Sequence, residues 1–429
     1  MPVKFRWEKE FKETEIGEIP KDWEVRRIKE ITNINMFGKK GNPEMSEKTY
    51  FISMEHIPTD GIYPEYVEIN PQDIKSGIRV SPNSILLAKI TPSFEHGKMC
   101  IVPNIKASWY ATTEIFSIIP AQVNLFFLFY TLKHSVLRDI LEGSMTGTSG
   151  RQRIQLQALK NLPIPYPSLE EQSRIATVLS WFDELIEVKK KQNEILEKTA
   201  MAIFRSWFID FEPFQNEEFI YSEELQREIP KGWEVKRLEE VVKVESGGNA
   251  PQEHKYFAGG NIPFVRVKHL TVGPCIESSD FINEKALQDY KLKIFHEGSI
   301  LIQKSGESLR EARVNLLPFK ACVVNHLAVI DLQDNKNLIE FLFCNIKSVL
   351  NQIIDSLNSG TSIPYLKLSD LQSEYILLPP QPILQKFHSL VQPLFEKIIN
   401  NQKEIIILKK VRDTLLPLLV FGKLRVEEV

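Results

Sequence analysis

Basic side chains stand at repeated places in this chain. Lys89 and Lys98 are nine residues apart, as are Lys304 and Arg313, and each pair accompanies a matched apolar run, SILLAKI or SILIQKS. Arg310 lies inside the second pair. Arg266 and Lys268 alternate with Val265 and Val267, and GTSGRQR adds Arg151, Gln152 and Arg153. Arg and Lys neutralise phosphates, and Arg and Gln can each hold a purine edge with two hydrogen bonds. That chemistry is recognition of double-stranded DNA. For any one of these positions the alternative is an ordinary solvated charge.

Catalytic signatures are missing. VFGKL at Val420–Leu424 has Gly-Lys but neither the first glycine nor the hydroxyl of a phosphate loop. The single Pro-Pro, in LPPQ, lacks the Asp/Asn before it and the aromatic after it that hold an amine for methylation. DFINEKA misplaces the lysine of a nuclease motif, and SGESLRE is not a nucleophile elbow. The eight histidines show no metal-ligand spacing. The sequence therefore predicts a non-catalytic chain with no cofactor or metal of its own.

Composition limits the class further. Of 429 residues, 43% are hydrophobic and 25% charged, which is ordinary for a protein that buries real cores. No apolar run approaches the ~18 residues of a membrane span. MPVKFRWEKEFKETE lacks the apolar stretch of a secretion signal. Cys100, Cys275, Cys322 and Cys344 have no CxxC pairing and read as buried thiols of a reducing compartment. A cytoplasmic location is expected. The net charge of −3 leaves DNA contact to local patches, or to a more basic partner.

The elements that position these residues come from a tandem duplication. EIPKDWEVRRIKEI from Glu18 returns as EIPKGWEVKRLEEV from Glu228; NLFFLFYTLKHSVL from Asn124 returns as NLIEFLFCNIKSVL from Asn337; TGTS at 146–149 meets SGTS at 359–362. The offset drifts only between about 210 and 215. Each copy reads as α+β, a small twisted sheet backed by helices. The segments from Asn124 and Asn337 have helical spacing, and IPFVRVKHL has the alternation of a strand with one dry and one basic face.

A long helix follows each copy. Ile175, Leu179, Phe182, Ile186, Lys189, Asn193, Leu196, Ala200, Ile203 and Trp207 form a heptad seam. Phe387, Val391, Leu394, Ile398, Asn401, Ile405, Leu408, Arg412, Leu415 and Leu419 repeat it 212 residues later. An antiparallel coiled coil with pseudo-twofold symmetry is expected. Ser168 and Glu171 fit a capping box, while Pro393 and Pro417 should kink the second helix or delay its start.

With these stretches in view, the chain resembles the specificity subunit of type I restriction–modification systems. The resemblance rests on TEIGEIPKDWEV, REIPKGWEV, the helix start LPIPYPSLEEQSRIATVLSWFDELIE and the closing GKLRV. It implies target-recognition domains at 1–165 and 228–379, spacer helices at 168–210 and 381–421, a linker at 211–227 and a tail at 422–429. It also implies a bipartite DNA target and partners that do the chemistry. These are methyltransferase subunits binding S-adenosylmethionine, and restriction/translocase subunits using ATP and Mg2+; no membrane is involved. Glu170, Glu171, Gln172 and Gln385 are its candidate docking residues. The second helix departs from the pattern, with QPILQKF in place of the Leu-Glu-Glu-Gln stretch, and the heads differ between matched elements, which suggests an asymmetric target. The competing class is a two-headed protein-interaction scaffold, favoured by the net charge. A fused restriction-and-modification enzyme fails because both motif sets are missing.

Overall fold

The computed structural model describes residues 3–35, 48–148, 150–271, 273–276, 279–332, 336–357 and 365–428. The repeat SGTS at 359–362 and Ser149 of TGTS lie outside the described residues. The chain divides into two units, the first Met1–Glu187 with Leu408–Val429, the second Val188–Ile407. Both are α+β, and the sequence duplication recurs as a duplication of topology.

In the first unit one sheet has the order Met99–Ile101, Ile85–Ala88, Ile115–Pro120, Thr32–Asn35, antiparallel throughout. The other has the order Val67–Glu68, Thr49–Ile52, Ser108–Ala111, Ile78–Val80, with its middle pair parallel. The second unit repeats both. Its antiparallel sheet runs Val314–Leu316, Ile300–Gln303, Leu327–Ile330, Val244–Ser246. Its mixed sheet runs Asp280–Ile282, Ile262–Val265, Ala321–Val323, Ile294–Phe295, again parallel in the middle. Each copy thus holds two four-stranded sheets where the sequence suggested one. SILLAKI and SILIQKS supply Ile85–Ala88 and Ile300–Gln303, all eight residues buried, as inner strands covered on both faces require.

The stretch IPFVRVKHL does not stay extended. Its strand ends at Val265, and Val267–His269 form a 3-10 turn. The His269 ring accepts the Arg266 backbone N–H at 2.9 Å, which bends the chain where alternation alone predicted a strand. Its counterpart His56 accepts from the Ser53 backbone at 3.3 Å. The segment from Asn124 is also divided, into Leu125–Leu132 and Ser135–Glu142, because the His134 ring caps the second piece through Val136 N–H. The matching segment of the second unit is continuous, Ile339–Leu357.

The long helices are Leu169–Phe208 and Gln381–Val420. Within the first unit Asp183 meets Arg412; within the second, Asn193 meets Asn401 at 3.0 Å and Lys189 pairs with Glu404. Rising numbers on one helix meet falling numbers on the other, so the helices pack antiparallel. Toward its end the first helix buries Phe204 and Phe208 more deeply than the seam residues Ile203 and Trp207, because there it also faces the second unit's core. The second helix is not delayed by Pro393. It begins at Gln381 and runs through both prolines. Pro393 is exposed, so the Ser389 carbonyl it deprives of a partner can turn to water.

Gly422 ends that helix at φ +69°, and a Cβ there would come within 2.5 Å of Pro20 and 2.9 Å of Trp23. This left-handed stop is a glycine position. It turns the chain into Leu424–Glu428, which pairs antiparallel with Lys4–Trp7. Trp23 and Trp233, the tryptophans of the repeated opening, are buried at the bases of their units. The four cysteines are buried and free.

Candidate nucleic-acid interface

Lys89, Arg151, Gln152 and Arg153 of the first unit gather at one edge. After Ile85–Ala88 the chain continues through Lys89, whose backbone donates to Glu114 O and accepts from Ile154 N–H. That bonding draws the GTSGRQR segment alongside: Thr91 N–H donates to Gln152 O, and Gln152 N–H to the Thr91 hydroxyl at 3.0 Å. Arg153 then forks onto Glu114 with bonds of 2.9 and 3.0 Å. The guanidinium lowers the affinity of Glu114 for a proton. Lys89 is partly buried, its ammonium 5.9 Å from the Phe116 ring centroid, and burial pulls its pKa down. Arg151 is exposed.

Lys98 lies elsewhere, its ammonium donating to Met54 O at 2.6 Å. Its counterpart Arg313 does the same in the second unit, donating to Leu270 O at 3.1 Å while held by Glu311 at 2.6 Å. Both cations brace the turn that carries His56 or His269. Their repetition therefore records a structural duty.

In the second unit Lys304 is buried, its ammonium on the Ser246 hydroxyl at 2.8 Å, and burial again lowers its pKa. Arg266 and Lys268 share Asp280, at 2.9 and 2.8 Å, the Arg266 pairing being an ion contact without hydrogen-bond alignment. Arg310 is exposed on the turn Glu307–Glu311. Around Lys304 stand groups that a search for basic residues overlooks. Ser305 and His326 Nδ1 are 2.9 Å apart, Asn325 donates to Asn249 at 2.9 Å, and Tyr365 bridges to Ser305.

Two of the candidate docking residues are occupied inside the first unit. The Gln172 amide accepts from Asn124 N–H and donates to Pro167 O, both at 2.9 Å. The Ser168 hydroxyl caps Glu171 N–H at 3.2 Å, but the Glu171 carboxylate does not complete the box. It takes the Trp23 indole at 3.1 Å and Arg425 at 2.8 Å instead. These bonds remove Glu171 and Gln172 from any outer surface. Glu170 and Gln385 are exposed, Glu170 with Arg174 at 2.7 Å.

Among the described residues no group of His, Cys, Asp and Glu is arranged to hold a metal ion, and no helix is long and apolar enough to cross a membrane. The family model described as type I restriction modification DNA specificity domain matches residues 20–198 and 230–410, once per copy. The chain belongs to that family. It is 53% identical to the MjaIX specificity subunit of Methanocaldococcus jannaschii, over 100% of this chain and 99% of that protein. It is 22% identical to the HindI specificity subunit of Haemophilus influenzae, over 80% and 87%. In fold it resembles the type I S subunit from M. genitalium, with a TM-score of 0.53 at 19% identity, covering 93% and 96%. As a specificity subunit the chain reads DNA sequence for its complex, directs methyltransferase and nuclease subunits, and carries no catalysis itself.

Proposed function

We propose that the two units read the two halves of a split, asymmetric double-stranded DNA target, with 1–165 and 228–379 as the recognition domains. The carrying observation is the pair of identical strand orders bearing different edge chemistry: Arg153, Glu114 and Gln152 in one, His326, Ser305 and Tyr365 in the other. The helices 168–210 and 381–421 serve as spacer. Glu170 and Gln385, exposed near the helix starts, are the docking residues we retain for methyltransferase subunits, which bring S-adenosylmethionine. Restriction/translocase subunits bring ATP and Mg2+, and the complex works in the cytoplasm.

A long-read adenine-methylation map of the source genome, with the gene intact and disrupted, tests this. Disruption should erase methylation at one split motif; an unchanged map from an expressed, assembled system would refute it. Transplanting 228–379 from a relative should alter one half of the motif only. The scaffold reading draws on one observation, that Arg153, Arg266, Lys268 and Arg313 are all ion-paired. Reversing the exposed Arg151 and Arg310 discriminates. If they meet phosphates, each reversal lowers the salt slope of DNA binding by the assembled complex by about 1.

A further inference from the structure

The duplication offers an internal comparison at each matched position. Where the chemistry is kept and the bond stays at the same turn, the residue belongs to the scaffold: Lys98 and Arg313 are both cations, donating to Met54 O and Leu270 O on either side of the matched histidines. Where backbone bonding is kept and the side chain has changed class, the scaffold has been held while its message changed.

One place shows this second pattern. Lys89 N–H donates to Glu114 O at 3.1 Å, and Lys304 N–H to His326 O at 2.9 Å. Ile154 N–H donates to Lys89 O at 2.8 Å, and Leu366 N–H to Lys304 O at 2.7 Å. Ile90 bridges antiparallel to Arg153, and Ser305 to Tyr365. Glu114 and His326 are therefore mates, as are Arg153 and Tyr365. A carboxylate has become an imidazole and a guanidinium a phenol, on an unchanged frame. Both lysines at the centre are partly desolvated, and Lys304 is fastened to Ser246, so they anchor the edge rather than read from it.

We propose that this edge is the base-reading surface of each unit, with Arg153, Glu114 and Gln152 selecting one half-site and His326, Tyr365 and Asn325 the other. The inference rests on the chain being a DNA specificity subunit. The groups suit the task. Arg153 arrives as an oriented fork for guanine, with Glu114 able to accept from cytosine. Ser305 occupies His326 Nδ1, leaving Nε2 to meet a polar group on a base edge. Tyr365 is 55% exposed and offers a ring face with a terminal hydroxyl. Asn325 donates to Asn249, which leaves the Asn325 amide oxygen as an acceptor and the Asn249 amide nitrogen as a donor, the two kinds of group that adenine pairs with.

The test uses the full methyltransferase complex, mapping its methylated motif on a random-sequence plasmid library. H326A/Y365A should relax one half of the motif and leave the other intact; R153A should do the reverse. Loss of a good base contact predicts about 10- to 100-fold less discrimination at the affected positions. If H326A/Y365A fails to assemble, H326Q and Y365F carry the test, since both keep the exposed shape. Wild-type motifs from all variants would overturn the assignment, as would one variant changing both halves. A wild-type complex that methylates no split motif would overturn the underlying reading instead, so the two failures are distinguishable.

Discussion

Replacing Arg412 with alanine should destabilise the first unit by about 3–5 kcal/mol, and two further substitutions should restore it. Arg412 is a seam residue whose side chain is 6% exposed, and it neutralises Asp183, 2% exposed, and Asp60 at 2.8 Å. Tyr130 donates to Asp183 at 2.7 Å. Burial works against both charged forms, yet Lys409 and Arg412 hold the Asp60 carboxyl below its usual range, and the two aspartates hold Arg412 above its own. Without Arg412, Asp183 would be a buried carboxylate left with the Tyr130 hydrogen bond and the electrostatic attraction of Lys133. The second copy has solved the same site without charge. There Ala200, Phe395 and Phe343 stand at the matched positions, with the two rings edge to face at 5.2 Å. The triple variant Y130F/D183F/R412A copies that solution and leaves Asp60 paired with Lys409 at 2.9 Å. It should be at least as stable as the parent, which implies a coupling of about 3 kcal/mol or more among the three sites. Urea unfolding read by hydrogen exchange in 125–132 and 175–187 isolates this unit. A single variant costing under about 1 kcal/mol would show that the charges are hydrated. A triple variant no better than the single one would show that the two copies cannot exchange packing.

The opening tryptophans give a paired prediction. Trp23 donates to Glu171, whereas the Trp233 indole N–H is buried without a partner, since Ile383, 212 residues on, stands where Glu171 does. W23F should therefore cost about 1–3 kcal/mol more than W233F, measured by thermal unfolding; equal costs would mean the bond contributes nothing. Burial pulls the His269 pKa from 6.5 down to about 4. The unfolded chain takes up that proton first as pH falls, so stability of the second unit should drop between pH 6.5 and 4, and H269N, which keeps an acceptor for Arg266 N–H, should flatten that part of the curve. H388A removes the partner that Glu340 holds at 2.8 Å in the second core, and should destabilise that unit by about 3 kcal/mol at neutral pH, less where Glu340 protonates.

Much of the architecture was legible because duplication repeats its signals. Two copies of EIP-x-WEV, two inner-strand runs and two seams 212 residues apart define α+β copies and paired helices. The second sheet of each copy was not legible, since its strands are two to four residues long and carry no sustained alternation. Arg266 and Lys268 satisfied the period of a strand, and only the His269 ring accepting a backbone N–H shows that the chain turns. Glu171 looked like a capping residue because Ser168 is local, whereas Arg425 is 254 positions away. Of the proposed reading edge, Arg153 and Gln152 were legible in GTSGRQR, whereas His326, Tyr365 and Asn325 escaped a search for positive charge because their chemistry carries no fixed charge.

The pairing of Lys4–Trp7 with Leu424–Glu428 sets the order in which the chain can finish folding on the ribosome. The unit whose residues are made first lacks part of its core until Leu416, Leu419 and Val426 have been made. The unit whose residues are made second has its whole complement by Ile407. Synthesis therefore completes the second unit while the first still waits with an open edge and an unanswered Asp183. A chain cut short after residue 407 would carry a finished second unit and an unfinished first, so a late stop codon strikes the half of the protein encoded earliest.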